Sequence, residues 1–289
     1  MDIDDRISFG NADCGDVRLH YATAGSGERL VVLLHGFPEF WYSWRHQLVD
    51  LSDGYTVVAP DMRGYNLSDR PKRVADYDLA LLTEDIAGLI RHFGRENAAI
   101  IGHDWDAGVA WSFAGRHPEL LWKLAALQVP PWPIWRRNLT LRQLLASWYM
   151  FYFQIPFIPE FFGSLADFAM LENAITKSTA EPNVFSQTEI AEYKKAWSQP
   201  GALTAMINYY RANMAKRFLG TNEPTAKIVA PTLFIYGEKD RAVMASTASG
   251  VEDFVEGPFT EVRIPGKAHW IQQEARHEVT DVLRKFLAG

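Results

Sequence analysis

The chain has 289 residues, 48% apolar and 22% charged, which fits a globular protein with room for one large α/β domain or a core with an inserted subdomain. With 29 Lys and Arg against 35 Asp and Glu the formal charge is −6, which counts against nucleic acid or an anionic membrane as the main partner. One cysteine, Cys14, excludes an intrachain disulfide and fits a reducing compartment.

The first residues, MDIDDRISFGNAD, are acidic and hold no apolar run of the kind a secretory signal needs, so a cytoplasmic location is expected. Short strands are predicted over residues 6–9, 17–22, 30–34 and 55–59, then a helix from 79 to 93 closed by Gly94. A strand at 98–101 leads into a helix reaching about residue 116, and 121–127 is the next strand. The inner strands are almost continuously apolar, as in a mostly parallel sheet with helices on both faces. From 131 to 225 the pattern turns helical, with prolines and aromatics and no convincing strand. Strands return at 231–236 and 259–264, followed by a closing helix to 287. The division is an α/β core, residues 1–130 and 226–289, interrupted by a helical lid, residues 131–225. Within the lid, LLASWYMFYFQIPFIPEFFG (144–163) is long and greasy, but Gln154, Pro156, Pro159 and Glu160 interrupt it. It reads as the wall of an apolar pocket rather than as a membrane insertion.

GHDWDAG, residues 102–108, forms the junction of strand and helix. Strand, tight turn, helix is the setting in which many hydrolases expose a nucleophile, usually the Ser of G-x-S-x-G. Here the central residue is Asp104, and Asp106 stands where the last glycine would be. Asp104, Asp240 and His269 each follow a predicted strand, at the sheet edge where open α/β folds bind ligands. Nucleophile, acid, base is also the chain order of α/β-hydrolase triads.

The stretches LLHGFPEFWYSWRHQL, VVAPDMRGYNLSDRP, IIGHDW, FIYGEKD and GKAHWIQQE resemble the epoxide hydrolases of the α/β-hydrolase fold and span most of the core. The resemblance implies Asp104 as nucleophile, His269 as base, Asp240 as acid and a cis Phe37–Pro38 bond. Some relatives keep the acid after the strand that ends here at Leu127. Gln128-Val129-Pro130 offers no carboxylate there, and Glu238 lies two residues early, so Asp240 is favoured.

The chemistry follows from the residue types. A carboxylate is anionic at neutral pH and attacks an alkyl carbon without help from a base. Water activated by His269, itself oriented by Asp240, then cleaves the ester on Asp104. The backbone N–H groups of Phe37 and Trp105 are the expected oxyanion donors. Such a centre opens an epoxide or a carbon–halogen bond.

The lid carries the choice between them. Leu141, Leu144, Leu145, Trp148 and Tyr152 fall on one helical face beside Tyr149, and Ala202, Ala205, Met206, Tyr209 and Tyr210 form a similar stripe. The resemblance carries two acid tyrosines onto Tyr149 and Tyr210, with Tyr152 and Tyr209 as alternatives. Phe37, Trp105, Trp148 and Phe153 are expected to shape the pocket. A haloalkane dehalogenase is the alternative, although Phe37 lacks the side-chain donor such enzymes often have at that position; Trp148 and Trp197 are the substitutes it would need. A binding protein without turnover is a second alternative, opposed by the intact triad.

Asp106 departs from the family's usual glycine and is read as a carboxylate in the first helical turn, favoured by the helix dipole. His35 and His103 are expected to brace loops, Asp61 and Asp69 to cap turns, and Arg45, His46 and the remaining histidines to lie at the surface. No residues have metal-ligand spacing and no glycine loop cradles phosphate, so no cofactor is expected. The expected partner is a small apolar epoxide.

Overall fold

The computed structural model describes residues 4–220 and 227–289. Eight strands form one sheet in the order β1-β2-β4-β3-β5-β6-β7-β8. They are β1 (Ser8–Asp13), β2 (Arg18–Ala24), β3 (Arg29–Leu34), β4 (Tyr55–Pro60), β5 (Ala98–His103), β6 (Leu121–Leu127), β7 (Thr232–Gly237) and β8 (Phe259–Ile264). β1 and β2 run antiparallel at one edge, and the pairs from β4 onward are parallel. β5 is buried along its whole length and β3 along all but its first residue. The core helices are α1 (Arg45–Asp50), α2 (Leu79–His92) and α3 (Trp105–Arg116). Two features hold helix ends: the Asp78 side chain accepts the Ala80 N–H at the start of α2, and Gly94 turns the chain beyond its end at φ 63°.

Between β6 and β7 lie α4 (Trp132–Arg137), α5 (Leu141–Ala146), α6 (Trp148–Tyr152), α7 (Ile158–Thr176), α8 (Gln187–Trp197) and α9 (Ala202–Leu219). No strand occurs among the described residues of this stretch, and the expected boundary at 225/226 falls outside them. α8 opens with a capping box, Ser186 with Glu189. Two contacts seat this layer on the sheet: Asn213 of α9 donates to the Tyr77 carbonyl and accepts from Leu79 N–H, and the Trp197 indole donates to the Pro38 carbonyl. α7 is broken by three successive left-handed residues, Ala166, Asp167 and Phe168, with φ of 49°, 55° and 61°. No helix among the described residues is long and apolar enough to cross a membrane.

Several expectations need correction. The first strand begins at Ser8 and runs to Asp13, because its alternation continues through Ala12, which is buried against the core. The closing helix is two, α10 (Ile271–Glu274) and α11 (Arg276–Ala288), broken at Ala275 by a non-helical ψ of 42°. Only part of 144–163 is screened from solvent: Phe157 and Phe161 are 83% and 60% exposed. Arg45 and His46 are not at the open surface. Arg45 pairs with Glu189 across to α8, and burial, then the charge of Arg45, pushes His46 down to about 3. His20 is buried too and bonds Asp61 at 2.7 Å.

Candidate active site

Asp104 sits between β5 and α3 at φ 49° and ψ −119°, a backbone conformation that costs energy for any residue with a side chain. Two glycines make room for the turn. A Cβ on Gly102 would lie 2.2 Å from the Asp106 carbonyl oxygen, and one on Gly36 would lie 2.5 Å from the Asp104 Cβ. The turn aims the carboxylate beyond the sheet edge, where Oδ1 accepts the Phe37 N–H at 3.0 Å. The Phe37–Pro38 bond is cis. The Trp105 N–H makes no hydrogen bond to this carboxylate.

His269 follows β8, and its Nε2 stands 3.4 Å from Asp104 Oδ2. Its Nδ1 faces Asp240 Oδ2 at 2.7 Å. The other Asp240 oxygen accepts the N–H groups of Ala242 and Val243 at 2.7 and 3.0 Å, which fixes the carboxylate plane. Burial alone pushes the imidazole down. The charges and hydrogen bonds of Asp240 and Asp104 outweigh it and hold His269 well above its usual value. Conversely, burial raises Asp104, but the His269 hydrogen bond and charge outweigh it and keep this carboxyl below the usual range.

A cavity of about 350 Å³ opens over this centre. Asp104 and His269 form part of its wall, together with Phe37, Trp148 and Phe153. Tyr149 and Tyr210 reach it too, with ring centroids 6.0 Å apart. Burial raises both phenols above their ordinary value, so both carry their protons at neutral pH. Trp105 instead borders a second, much smaller cavity of about 30 Å³, shared with Asp104, Tyr149, Tyr210 and Arg217. The neighbouring tyrosines differ: Tyr209 is fully buried and donates to the Arg63 carbonyl, and Tyr152 borders the larger cavity with its hydroxyl directed to the Ile158 carbonyl.

The alpha/beta hydrolase fold family model matches residues 29–275. The chain is 38% identical over 280 residues to epoxide hydrolase 3 of Xenopus tropicalis, covering 94% of this chain and 75% of that one. It is 41% identical over 275 residues to the AB hydrolase superfamily protein YfhM of Bacillus subtilis, covering 94% of each. Among solved structures it superposes on the Bacillus megaterium epoxide hydrolase bound to an inhibitor with a TM-score of 0.88, at 30% identity over 98% of this chain and 100% of that one. The chain belongs to the epoxide hydrolases of the α/β-hydrolase fold.

Within this epoxide hydrolase fold, the structure adds residues around the site that the sequence did not single out. Glu39 is buried, accepts from Gly36 N–H and Gln272 Nε2 and lies 2.8 Å from His103 Nδ1, while His103 Nε2 faces the His269 carbonyl at 2.9 Å. His103 thus braces loops as expected, with Glu39 as its partner. Gln128, at the position where some relatives carry the acid, donates to the carbonyls of Ala268 and His269 and accepts from Gly237 N–H. It ties the end of β7 to the loop that carries His269. Glu274 receives three backbone N–H groups around His269. The available signal was the stretch GKAHWIQQE, whose final residue it is. His35 braces Gly36 and Met62, and Asp69 accepts the Arg18 N–H, both as turn-holding residues.

Proposed function

We propose that this hydrolase converts an apolar epoxide and water to a vicinal diol through a covalent ester on Asp104. The observation that carries the reading is the Asp104 carboxylate at a strained turn, open to an apolar cavity, with His269 at 3.4 Å on its other side. In the first step an Asp104 oxygen forms a bond to an epoxide carbon. The carbon–oxygen bond of the ring breaks, its electron pair goes to the epoxide oxygen, and Tyr149 or Tyr210 supplies the proton. Alkylation removes the Asp104 charge, one of the influences that hold His269 high, and the imidazolium proton passes to the phenolate left by ring opening, so the imidazole becomes available as a base. It takes a proton from water as the water oxygen bonds to the Asp104 Cγ. The oxyanion develops beside the Phe37 N–H, which already donates to Oδ1. Collapse expels the diol oxygen, which takes the proton from His269, and the proton shed as Asp104 re-ionises returns to the imidazole. The helices between β6 and β7 act as a lid on the α/β core and roof the cavity with apolar side chains.

The dehalogenase reading loses support at two places. Phe37 offers no side-chain donor, and the Trp197 indole N–H is committed to the Pro38 carbonyl at 2.6 Å.

The test is His269→Ala incubated with styrene oxide. An adduct of the substrate's mass, mapped to Asp104 by peptide sequencing, is the expected result. A variant that stays unmodified while wild type turns the epoxide over sinks the two-step scheme.

A further inference from the structure

The loop that carries His269 is tied to the α7–α8 connection at three points within four residues. The Trp270 indole donates to Ser178 Oγ at 2.7 Å, and Lys267 pairs with Glu181 at 2.6 Å. Between them, Glu274 Oε2 accepts the Ala180 N–H at 2.8 Å. The same carboxylate reaches both sides of the histidine: Oε2 accepts the Ala268 N–H at 3.2 Å and Oε1 accepts the Trp270 N–H at 3.2 Å. Both oxygens are therefore used, and all three donors are backbone groups, whose positions the chain itself constrains. Ser178 and the preceding turns of α7, through Asn173 and Ala174, border the substrate cavity. One carboxylate thus sets the register between the cavity wall and the base.

We infer that Glu274 is a positioning residue for His269, holding the base loop in register with the wall of the substrate cavity. The inference rests on the reading of His269 as the base of the second step. That reading makes the consequence specific. His269 is needed to cleave the ester and not to form it, so a defect in its placement appears in ester release and leaves alkylation alone. A merely structural residue would lower the active fraction and slow both steps together.

The experiment follows single turnovers of styrene oxide by rapid quench and intact mass, with wild type and Glu274→Gln. The amide keeps the size of the side chain but turns one acceptor into a donor that faces backbone N–H groups. Release is expected to fall about 10- to 100-fold while alkylation changes by less than about threefold, as befits a sub-ångström misplacement of the base. The Asp104 adduct then becomes the main species at steady state. Glu274→Asp, which keeps the charge but withdraws it by one methylene, is expected to move the same ratio in the same direction by less; it serves if Glu274→Gln does not fold. An unchanged ratio of release to alkylation in the folded variant overturns the inference. Absence of any adduct in wild type and in His269→Ala alike overturns the two-step reading first, and the role of Glu274 with it.

Discussion

Asp104 and Asp106 are two carboxyls two residues apart that their surroundings drive in opposite directions. Asp104 has a hydrogen-bond donor on one oxygen and an imidazole by the other. Asp106 is 1% exposed and neither of its oxygens has a hydrogen-bond partner. Burial first, then the charges of Asp104 and Glu39, hold Asp106 well above the usual carboxylate range, with Arg217 pulling the other way. It stands in the first turn of α3 beside Asp104, where burial and neighbouring carboxylates oppose the ionisation that the helix dipole favours. The sign of the pH effect follows. Unfolded Asp106 ionises near pH ~3.9 and folded Asp106 does so much higher, so the folded state holds an extra proton between the two values. This group's cost to folding is absent below the unfolded pKa and grows with rising pH, by up to ~1.4 kcal/mol per unit, until the folded group ionises. Asp106→Asn is accordingly expected to unfold at a higher temperature than wild type at pH 8, with the gap closing toward pH 4. A gap that is constant over this range would show that the carboxyl is not held neutral. Turnover is expected to survive in Asp106→Gly, since neither oxygen of this side chain makes a hydrogen bond. Asp104 itself was legible because a turn between an apolar strand and a helix is a local pattern. The difference between Tyr209 and Tyr210 was not, because adjacent helix positions differ only in what stands opposite them, here the Arg63 carbonyl for Tyr209.

Among elements, the turn between β5 and α3 depends on the closeness of strand end and helix start. The Gly102 position leaves no room for a Cβ against the Asp106 carbonyl oxygen, and backbone cannot rotate away as a side chain can. Gly102→Ala is expected to lose at least about 1–3 kcal/mol in thermal unfolding, the ordinary cost of overpacking, with activity falling further than stability because Asp104 is displaced. A variant with wild-type unfolding and wild-type kcat would contradict this account of the turn. Helical stripes were readable to different depths. On α9, one unbroken 18-residue helix, the stripe Ala202, Ala205, Met206, Tyr209 and Tyr210 is buried as its period predicts. The stripe through Leu141, Leu145 and Trp148 is not: these residues are 73%, 66% and 60% exposed. Leu141 and Leu145 lie on the outward side of α5, and the break at Ser147 (ψ 15°) before α6 resets the helical phase, so spacing carried across it to Trp148 and Tyr152 does not describe one face. Likewise the sequence pattern marks a first strand at residues 6–9, whereas pairing with β2 from Ser8 to Asp13 defines its length.

For the whole molecule, the cavity is walled mainly by aromatic and aliphatic side chains, with Asp104, His269, Asn173, Ser178 and the tyrosine hydroxyls as its few polar groups. On the proposed function, selectivity comes from apolar surface removed from water. Along a series of terminal 1,2-epoxyalkanes, kcat/KM is expected to rise about fourfold per added methylene, from ~0.8 kcal/mol each, and then to level off once the cavity is full. A flat series measured by diol formation would show that the substrate lies elsewhere. The sequence by itself determined the fold class, the parallel arrangement of the inner strands and the order in which Asp104, Asp240 and His269 arrive at one edge of the sheet. These follow from periodicity and turn chemistry, which are properties of neighbouring residues. Only the tertiary structure decided which tyrosines face the cavity, that Gln128 and Glu274 bond the backbone of the loop carrying His269, and that the Asp106 oxygens have no hydrogen-bond partner. Each of these is settled by groups that meet from separate stretches of chain, such as Ala180 with Glu274 or Arg63 with Tyr209, and no local pattern records such a meeting.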